Sequence, residues 1–497
     1  MEGIDLDGAG LTRGRFLRRV AGGGAILMLG GPGGSGLLDA GEAWARTQTE
    51  APEGMRHFHS RPDLRPPTVT VLHAGHTGDG YLFLAPSSGP GQRGTLILDN
   101  RGDVVWFHPT TPHAAMNLRA GMYKGEPVLT WWEGQTELGL GHGTHVILDS
   151  SYRVVARVPA GRGRPSDLHE FRLTPHGTAL VTSYETRTMD LTAFGGTHDG
   201  KVVGGIVQEI EIPSARVLFE WRSLDHVPLE ESHATPGRNS FDYFHVNSID
   251  IDGDRNLIVS ARNTWTVYKL SRRTGRIIWR LGGRKSDFTM GPGTVFAWQH
   301  DAHHQAAGRR ISIFDDGAAP AVEPQSRVLV IDLDLKRMRA TLVHKYTHHP
   351  QRLLAHYMGS AQLLDNGNVV VGWGSEPYIT EFDRNGTIQF DAKLPHGGQN
   401  YRAFRFPWVG RPSVPPRLVA QRAKGVRTLY VSWNGATEVA SWQLEAGATA
   451  DALTAVSVVP RQTFETTLVP PAGVRYAAAV PLDRSGKPLG RSETVRV

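Results

Sequence analysis

The chain has 497 residues, with 58 Gly, 31 Pro and no Cys, and 54 Lys+Arg set against 48 Asp+Glu give a formal net charge of +6. Absence of cysteine excludes disulfides, zinc fingers, Fe–S clusters and thiolate catalysis. A chain this long can bury a large core and splits readily into more than one domain.

The basic residues are spread along the chain, and no Lys/Arg run reads as a nucleic-acid arm. A mildly positive surface favours small anionic substrates. Residues 1–45 read as a secretory leader. Arg13, Arg15, Arg18 and Arg19 form a basic start, Val20 to Leu38 is apolar but for polar Ser35, rich in glycine and uncharged, and Ala43-Trp44-Ala45 is a small-x-small processing site. The pattern is similar to a twin-arginine signal, with Gly14 standing where the second arginine would be; the general secretory route is the alternative. No later stretch is apolar enough to span a bilayer, so an extracytoplasmic protein outside the membrane is expected. Residues 46–67 read as a linker.

Residues 68–410 carry one strand pattern six times. Hairpins of the form LILDNRGDVVWF (96–107), VILDSSYRVVARV (146–158), QEIEIPSARVLFEW (208–221), VYKLSRRTGRIIWRL (267–281), LVIDLDLKRMRATLV (329–343) and ITEFDRNGTIQFDAKL (379–394) recur at intervals of roughly 50–60 residues. An apolar strand precedes each. This predicts an all-β fold, a six-bladed β-propeller with four strands per blade. Tyr401 to Val409 supplies a strand that closes the ring. Trp106, Trp221 and Trp279 end outer strands and are expected to pack between blades. After Pro412, Pro415 and Pro416, residues 411–497 read as a fibronectin-type-III-like β-sandwich with Trp433 as its buried tryptophan.

One slot of the repeat stands out, eight residues before the first hairpin's glycine. His169, His245 and His300 occupy it in three consecutive blades, while Leu72, Asn117 and Gly359 occupy it in the others. With 22 His in the whole chain, six arbitrary positions would hold well under one. Equivalent slots of neighbouring blades are related by the pseudo-rotation of the ring, so the three imidazoles should converge near the axis. Hairpin pairing brings Arg262 back beside His245. Asn247, Gln299 and Asn263 are expected to line the same channel as substrate contacts.

Arginine offers a planar fork for a tetrahedral oxyanion. Histidine is a nucleophile or an acid–base near neutral pH. Together they suit transfer of an anionic group through a covalent histidine. A three-histidine metal site and a purely structural role are the other readings; a non-enzymatic binding propeller is the alternative at the level of function. Asp250, Asp252, Asp315 and Asp316 read as turn residues, and His303-His304 and His348-His349 as solvent-facing pairs. Neither GxxxxGK[ST] nor a helix-opening GxGxxG occurs, so a nucleotide cofactor is not supported.

The stretch 241–283 resembles the nucleotide-independent arylsulfotransferase family of bacteria and fungi. It carries HVNS, SAR and TG-x-x-x-W-x-LGG in order, and segments 167–185, 296–317 with WQHDA, and 359–374 extend the resemblance over about 70–400. The resemblance implies a six-bladed propeller with no cofactor. It implies sulfuryl transfer from a phenolic sulfate ester to a phenol acceptor. His300 would be the nucleophile that becomes sulfo-histidine, His169 and His245 proton carriers and oxyanion partners, and Arg262 the holder of the sulfuryl oxygens.

Overall fold

Asp99, Asp149 and Asp383 stand at the same place in three of the repeats. Each carboxylate accepts the backbone N–H groups two and four residues on, from Arg101 and Asp103, Ser151 and Arg153, Asn385 and Thr387. This Asx geometry reverses the chain with its polar groups satisfied and pins the hairpin register. The computed structural model describes residues 54–305, 309–423 and 426–497. The predicted leader, residues 1–45, lies outside them.

The chain is all-β, as its alternating pattern predicts. Six sheets with an antiparallel four-stranded core follow one another through residues 70–406. The second is Ala114–Tyr123, Glu126–Glu137, Leu140–Asp149 and Val154–Val158. The third runs from Phe171–Leu173 through Thr178–Met189 and Gly200–Glu211 to Val217–Arg222. The fourth is Val246–Ile251, Leu257–Ala261, Thr266–Leu270 and Ile277–Gly282. The fifth begins at His300–Gln305 and the sixth at Ser360–Leu363.

Apolar cores lie between successive sheets. Trp106 meets Trp131 between the first and second, and Trp221 meets Phe244 between the third and fourth. Trp279 packs with Ile311 between the fourth and fifth, and Phe314 meets Trp373 between the fifth and sixth. The last core joins Val370 and Phe390 of the sixth sheet to Leu84 and Leu96 of the first, so the sheets close into a ring. The tryptophans expected between blades are there. Each buried aromatic removes roughly 150–250 Å² from water, which makes these seams the main source of stability.

Closure is interlaced. Phe404–Phe406 pairs with Tyr81–Leu84 and becomes the innermost strand of the first sheet. Thr70–Ala74 instead adds to the outer edge of the sixth sheet, against Ile388–Lys393. This corrects the placing of Leu72 on an inner strand: it is on the rim, 54% exposed. The sequence repeat and the sheets are offset because the first sheet borrows its inner strand from the far end of the chain. The described part of the expected linker is packed rather than free, with Phe58 and Leu64 in the core that closes the ring.

The tail forms a three-stranded sheet (Arg417–Ala423, Val426–Ser432, Glu465–Leu468) and a four-stranded one (Thr454–Pro460, Ser441–Gly447, Tyr476–Leu482, Val495–Arg496). Their shared core is built on Trp442, Leu429, Leu444 and Leu468. Trp442, not Trp433, is the buried indole; Trp433 is half-buried at the linker and donates from Nε1 to Val414 O at 2.6 Å. Among the described residues no helix is long and apolar enough to cross a membrane.

Candidate active site

Half of the six slots share a left-handed backbone. Asn117, His245 and Gly359 occupy them with φ of +61°, +54° and +115°. Only glycine adopts that region freely, and asparagine and histidine are among the side chains that tolerate it best. The inner strands bulge here, between Val246 and Ser248 and between His300 and His303. A bulge re-aims the side chain at the strand's start toward the ring axis.

The three imidazoles do converge. The ring centroids of His169 and His245 are 4.9 Å apart, and those of His169 and His300 are 6.4 Å apart. Each Nδ1 meets a carboxylate: His169 that of Asp167 at 2.6 Å, His245 that of Asp242 at 2.5 Å and His300 that of Asp316 at 2.8 Å. An Nδ1–H donated to the carboxylate leaves the Nε2 lone pair free for chemistry. Asp167 also accepts from the backbone N–H groups of Gly141 and His169 and from the Thr182 hydroxyl. Burial alone would raise Asp167, but His169 and these donors hold it below the usual carboxylate range.

Burial also holds the His169 imidazole below its ordinary value, and the His300 imidazole well below, with Arg262 adding to the effect on His300. Both are therefore neutral near pH 7. Burial lifts Asp316 well above the usual range while Arg262 pulls it back.

Arg262 lies where hairpin pairing predicts, its N–H donating to His245 O at 3.0 Å. Its guanidinium sits over the Trp298 ring at 4.8 Å and donates to Asn263 Oδ1 and His356 O, each at 3.1 Å. Among the described residues no carboxylate lies within ion-pair distance of it, and its buried Nε has no partner. Burial lowers its pKa, opposed by the more distant Asp316 and Asp242. A desolvated cation without a contacting anion is a site for an anionic substrate group.

The predicted amides bond to the scaffold through their NH2 groups, and Asn247 Oδ1 and Gln299 Oε1 are buried without a partner. Gln299 is fully buried, and its Nε2 donates to Ser260 Oγ, Ala261 O and Thr266 O of the fourth sheet. Asn247 Nδ2 donates to Gln299 O at 2.7 Å, and Asn263 Nδ2 to Asp242 O at 2.6 Å. Gln299 stands just before the strand that opens at His300. Gln299 and Asn247 are thus tied to the scaffold through their NH2 groups, while Asn263 holds both Arg262 and the Asp242 backbone.

Below the histidines, an ion cluster fills the ring. Arg402, fully buried, pairs with Glu170 at 3.0 Å and Asp301 at 3.2 Å. Arg119 pairs with Glu170, and Arg172 with Asp250. His303 bridges Asp301 at 2.8 Å and Asp250 at 3.3 Å. Tyr401, beside Arg402, donates to His169 O at 3.2 Å. The expectations that His303 and His348 face solvent, and that Asp250, Asp315 and Asp316 are mere turn residues, are corrected: all are buried or nearly so. Bulges and long-range ion partners invert the facing that a local reading assigns.

Glu170, Asp301 and His303 are, among the described residues, the one group whose ligand atoms gather within 4.8 Å, as a metal ion would need. Arginines already engage both carboxylates. Among the described residues the ring nitrogens of His169, His245 and His300 do not gather that closely.

Burial opposes charge on His303, but Asp301 and Asp250 outweigh it and push the imidazole up to about 9. An unfolded histidine titrates near 6.5. The folded value is the higher one, so His303 adds stability that is fully present below about pH 6.5 and is lost as pH rises through about 9. Thermal melts from pH 6 to 10 should show that fall for the native chain and a shallower one for His303→Asn. Equal slopes would refute the assignment.

No curated protein matches the chain. Among solved structures it is similar to a protein of unknown function from Bacteroides caccae, at 13% identity over 66% of this chain and 98% of that one, with a TM-score of 0.41. It is also similar to virginiamycin B lyase from Staphylococcus aureus, at 9% identity over 74% and 96% with a TM-score of 0.32. A third is a putative 6-phosphogluconolactonase from Bacteroides fragilis, at 11% over 67% and 99% with a TM-score of 0.34. The family model of arylsulfotransferase (ASST) matches residues 119–394, a span that holds all three histidines, their carboxylates and Arg262. With more than half of its length matched by that model, the chain belongs to the arylsulfotransferase family.

Proposed function

We propose that the protein moves a sulfuryl group from a phenolic sulfate ester to a phenolic acceptor through a sulfo-histidine, with no nucleotide donor. The observation that carries this reading is the convergence of three carboxylate-backed imidazoles on a guanidinium that no carboxylate contacts. In the first step His300 Nε2 attacks sulfur, an N–S bond forms, and the S–O bond to the aryl group breaks. His245, entering the step with a proton on Nε2 as well as on Nδ1, delivers the Nε2 proton to the departing phenolate oxygen, while neutral His169 offers only a lone pair. In the second step His245, now without that proton, takes the proton of the acceptor phenol, whose oxygen attacks sulfur as the N–S bond breaks. Arg262 holds the sulfuryl oxygens, and its fixed charge matters most where negative charge is spread in a loose transition state.

His300 is chosen over its two neighbours by family resemblance; the lowered imidazole and the Asp316 contact are compatible with it. The leader pattern supports export. The three-plus-four strand partition of the tail supports a fibronectin-type-III-like module. The test is to mix the protein with a chromogenic aryl sulfate, without nucleotide, and to weigh the quenched peptides. One sulfuryl group on the His300 peptide, discharged by added phenol, is the expected result. An adduct on His169 or His245 would move the nucleophile, and no adduct with no phenol release would overturn the reaction.

A further inference from the structure

The second sheet carries a hairpin unlike those of the fourth. Its strands, Glu126–Glu137 and Leu140–Asp149, are 12 and 10 residues long, whereas Leu257–Ala261 and Thr266–Leu270 have 5 each. The extra length rises on the side of the ring that holds the histidines. Gly141 N donates to Asp167 Oδ1, and Gly143 exchanges backbone hydrogen bonds with Ser166. The hairpin is thereby fastened to the residues that orient His169. At its tip, a methyl group on Gly139 would stand 3.5 Å from His245 Cε1.

Leu138 is the other tip residue. It is 93% exposed, the most exposed large apolar side chain among the described residues. Glu137 pairs with Leu140, so Leu138 and Gly139 form a two-residue turn, with φ of +49° and +84°. Both values are positive, as in a type I′ turn, whose first position favours Asn, Asp or Gly. Leucine there is held in a backbone region it disfavours and makes almost no contact within the chain. Two independent observations, a strained exposed leucine and a tip glycine whose missing side chain leaves space beside His245, thus meet at the rim of the site.

We infer that Leu138 is a specificity-determining residue that packs on the aromatic ring of the phenolic substrate. The inference rests on the proposed reaction and names what the site adds to it, an apolar wall beside the imidazole that handles the phenol oxygen. Substrates with a larger ring gain more from this wall, because apolar contact scales with area removed from water.

The test uses Leu138→Asn, which installs Asn-Gly, the preferred pair for this turn, so the fold should be kept or strengthened. The acceptors are 1-naphthol and phenol, read by turnover and, separately, by calorimetric binding of 1-naphthol. A roughly tenfold weakening for 1-naphthol is expected in both KM and binding, with a smaller change for phenol and recovery in Leu138→Met. The loss should fall on KM rather than kcat. Unchanged 1-naphthol binding and KM in a folded Leu138→Asn would overturn the proposal. Should the native protein form no sulfo-enzyme but bind 1-naphthol in a Leu138-dependent way, the reaction reading fails and the aryl contact stands.

Discussion

His300→Ala should lower sulfuryl transfer by at least about 10⁴-fold, because removing a nucleophile abolishes the covalent route instead of weakening one contact within it. Arg262→Ala should cost less, about 10²–10³-fold, the scale for deleting one positioned charge that stabilises a transition state. This ordering separates the nucleophile from its helpers, and a larger loss in His169→Ala than in His300→Ala would reassign the role. The pH profile carries the same information. Attack needs a neutral imidazole, and burial holds His300 well below its ordinary value. As pH falls, kcat/KM should therefore persist through pH 6.5 and decline only below it. Asp316→Asn should keep the shape but lose control of the tautomer that frees Nε2, with a rate loss approaching that of His300→Ala. A profile that breaks above 6.5 would contradict the neutral resting state.

Arg402→Met should destabilise the fold by about 3–5 kcal/mol, read from urea denaturation. The arginine is fully buried between Glu170 and Asp301, and its removal leaves both buried carboxylates without their main counter-charge. Its own pKa is raised by those carboxylates against burial, so it is charged at every accessible pH. It also donates to Asn247 O at 2.7 Å, tying the segment that closes the ring to the fourth sheet. The large effect comes from leaving partners unpaired. Adding Glu170→Gln and Asp301→Asn to Arg402→Met should therefore restore part of the loss. If the triple variant is less stable than the single by the plain sum of the separate changes, the three side chains do not act as one unit.

The sequence made the strands and the histidine slot legible for a physical reason. Strand alternation recurs in every sheet and the Asp-led turns in three of them, and repetition can be read without a structure. His169, His245 and His300 were found through it, and Arg262 through hairpin pairing. Their carboxylates were not, because Asp167 lies two residues before its histidine, Asp242 three before and Asp316 sixteen after. Such partners share no register. The engagement of the Gln299 amide with the fourth sheet was not legible, because its partners lie 33 to 39 residues earlier in the chain. His303 was placed in solvent although a bulge turns it inward against Asp301 and Asp250. Tyr401 and Arg402 were legible as a closing segment but not as occupants of the centre.

The interlaced ring makes completion a condition of activity during synthesis. Tyr81 waits for Phe406, 325 residues later in the chain, and at ribosomal speed that is roughly 15–65 s. The segment that arrives last also carries Tyr401 and Arg402, which hold the backbones of His169 and Asn247. A nascent or broken chain ending before this segment can build five sheets and still lack the floor of the site. On the proposed reaction a half-active precursor is not expected: the latch of the ring and the support of the candidate site are delivered by the same few residues, in the same moment.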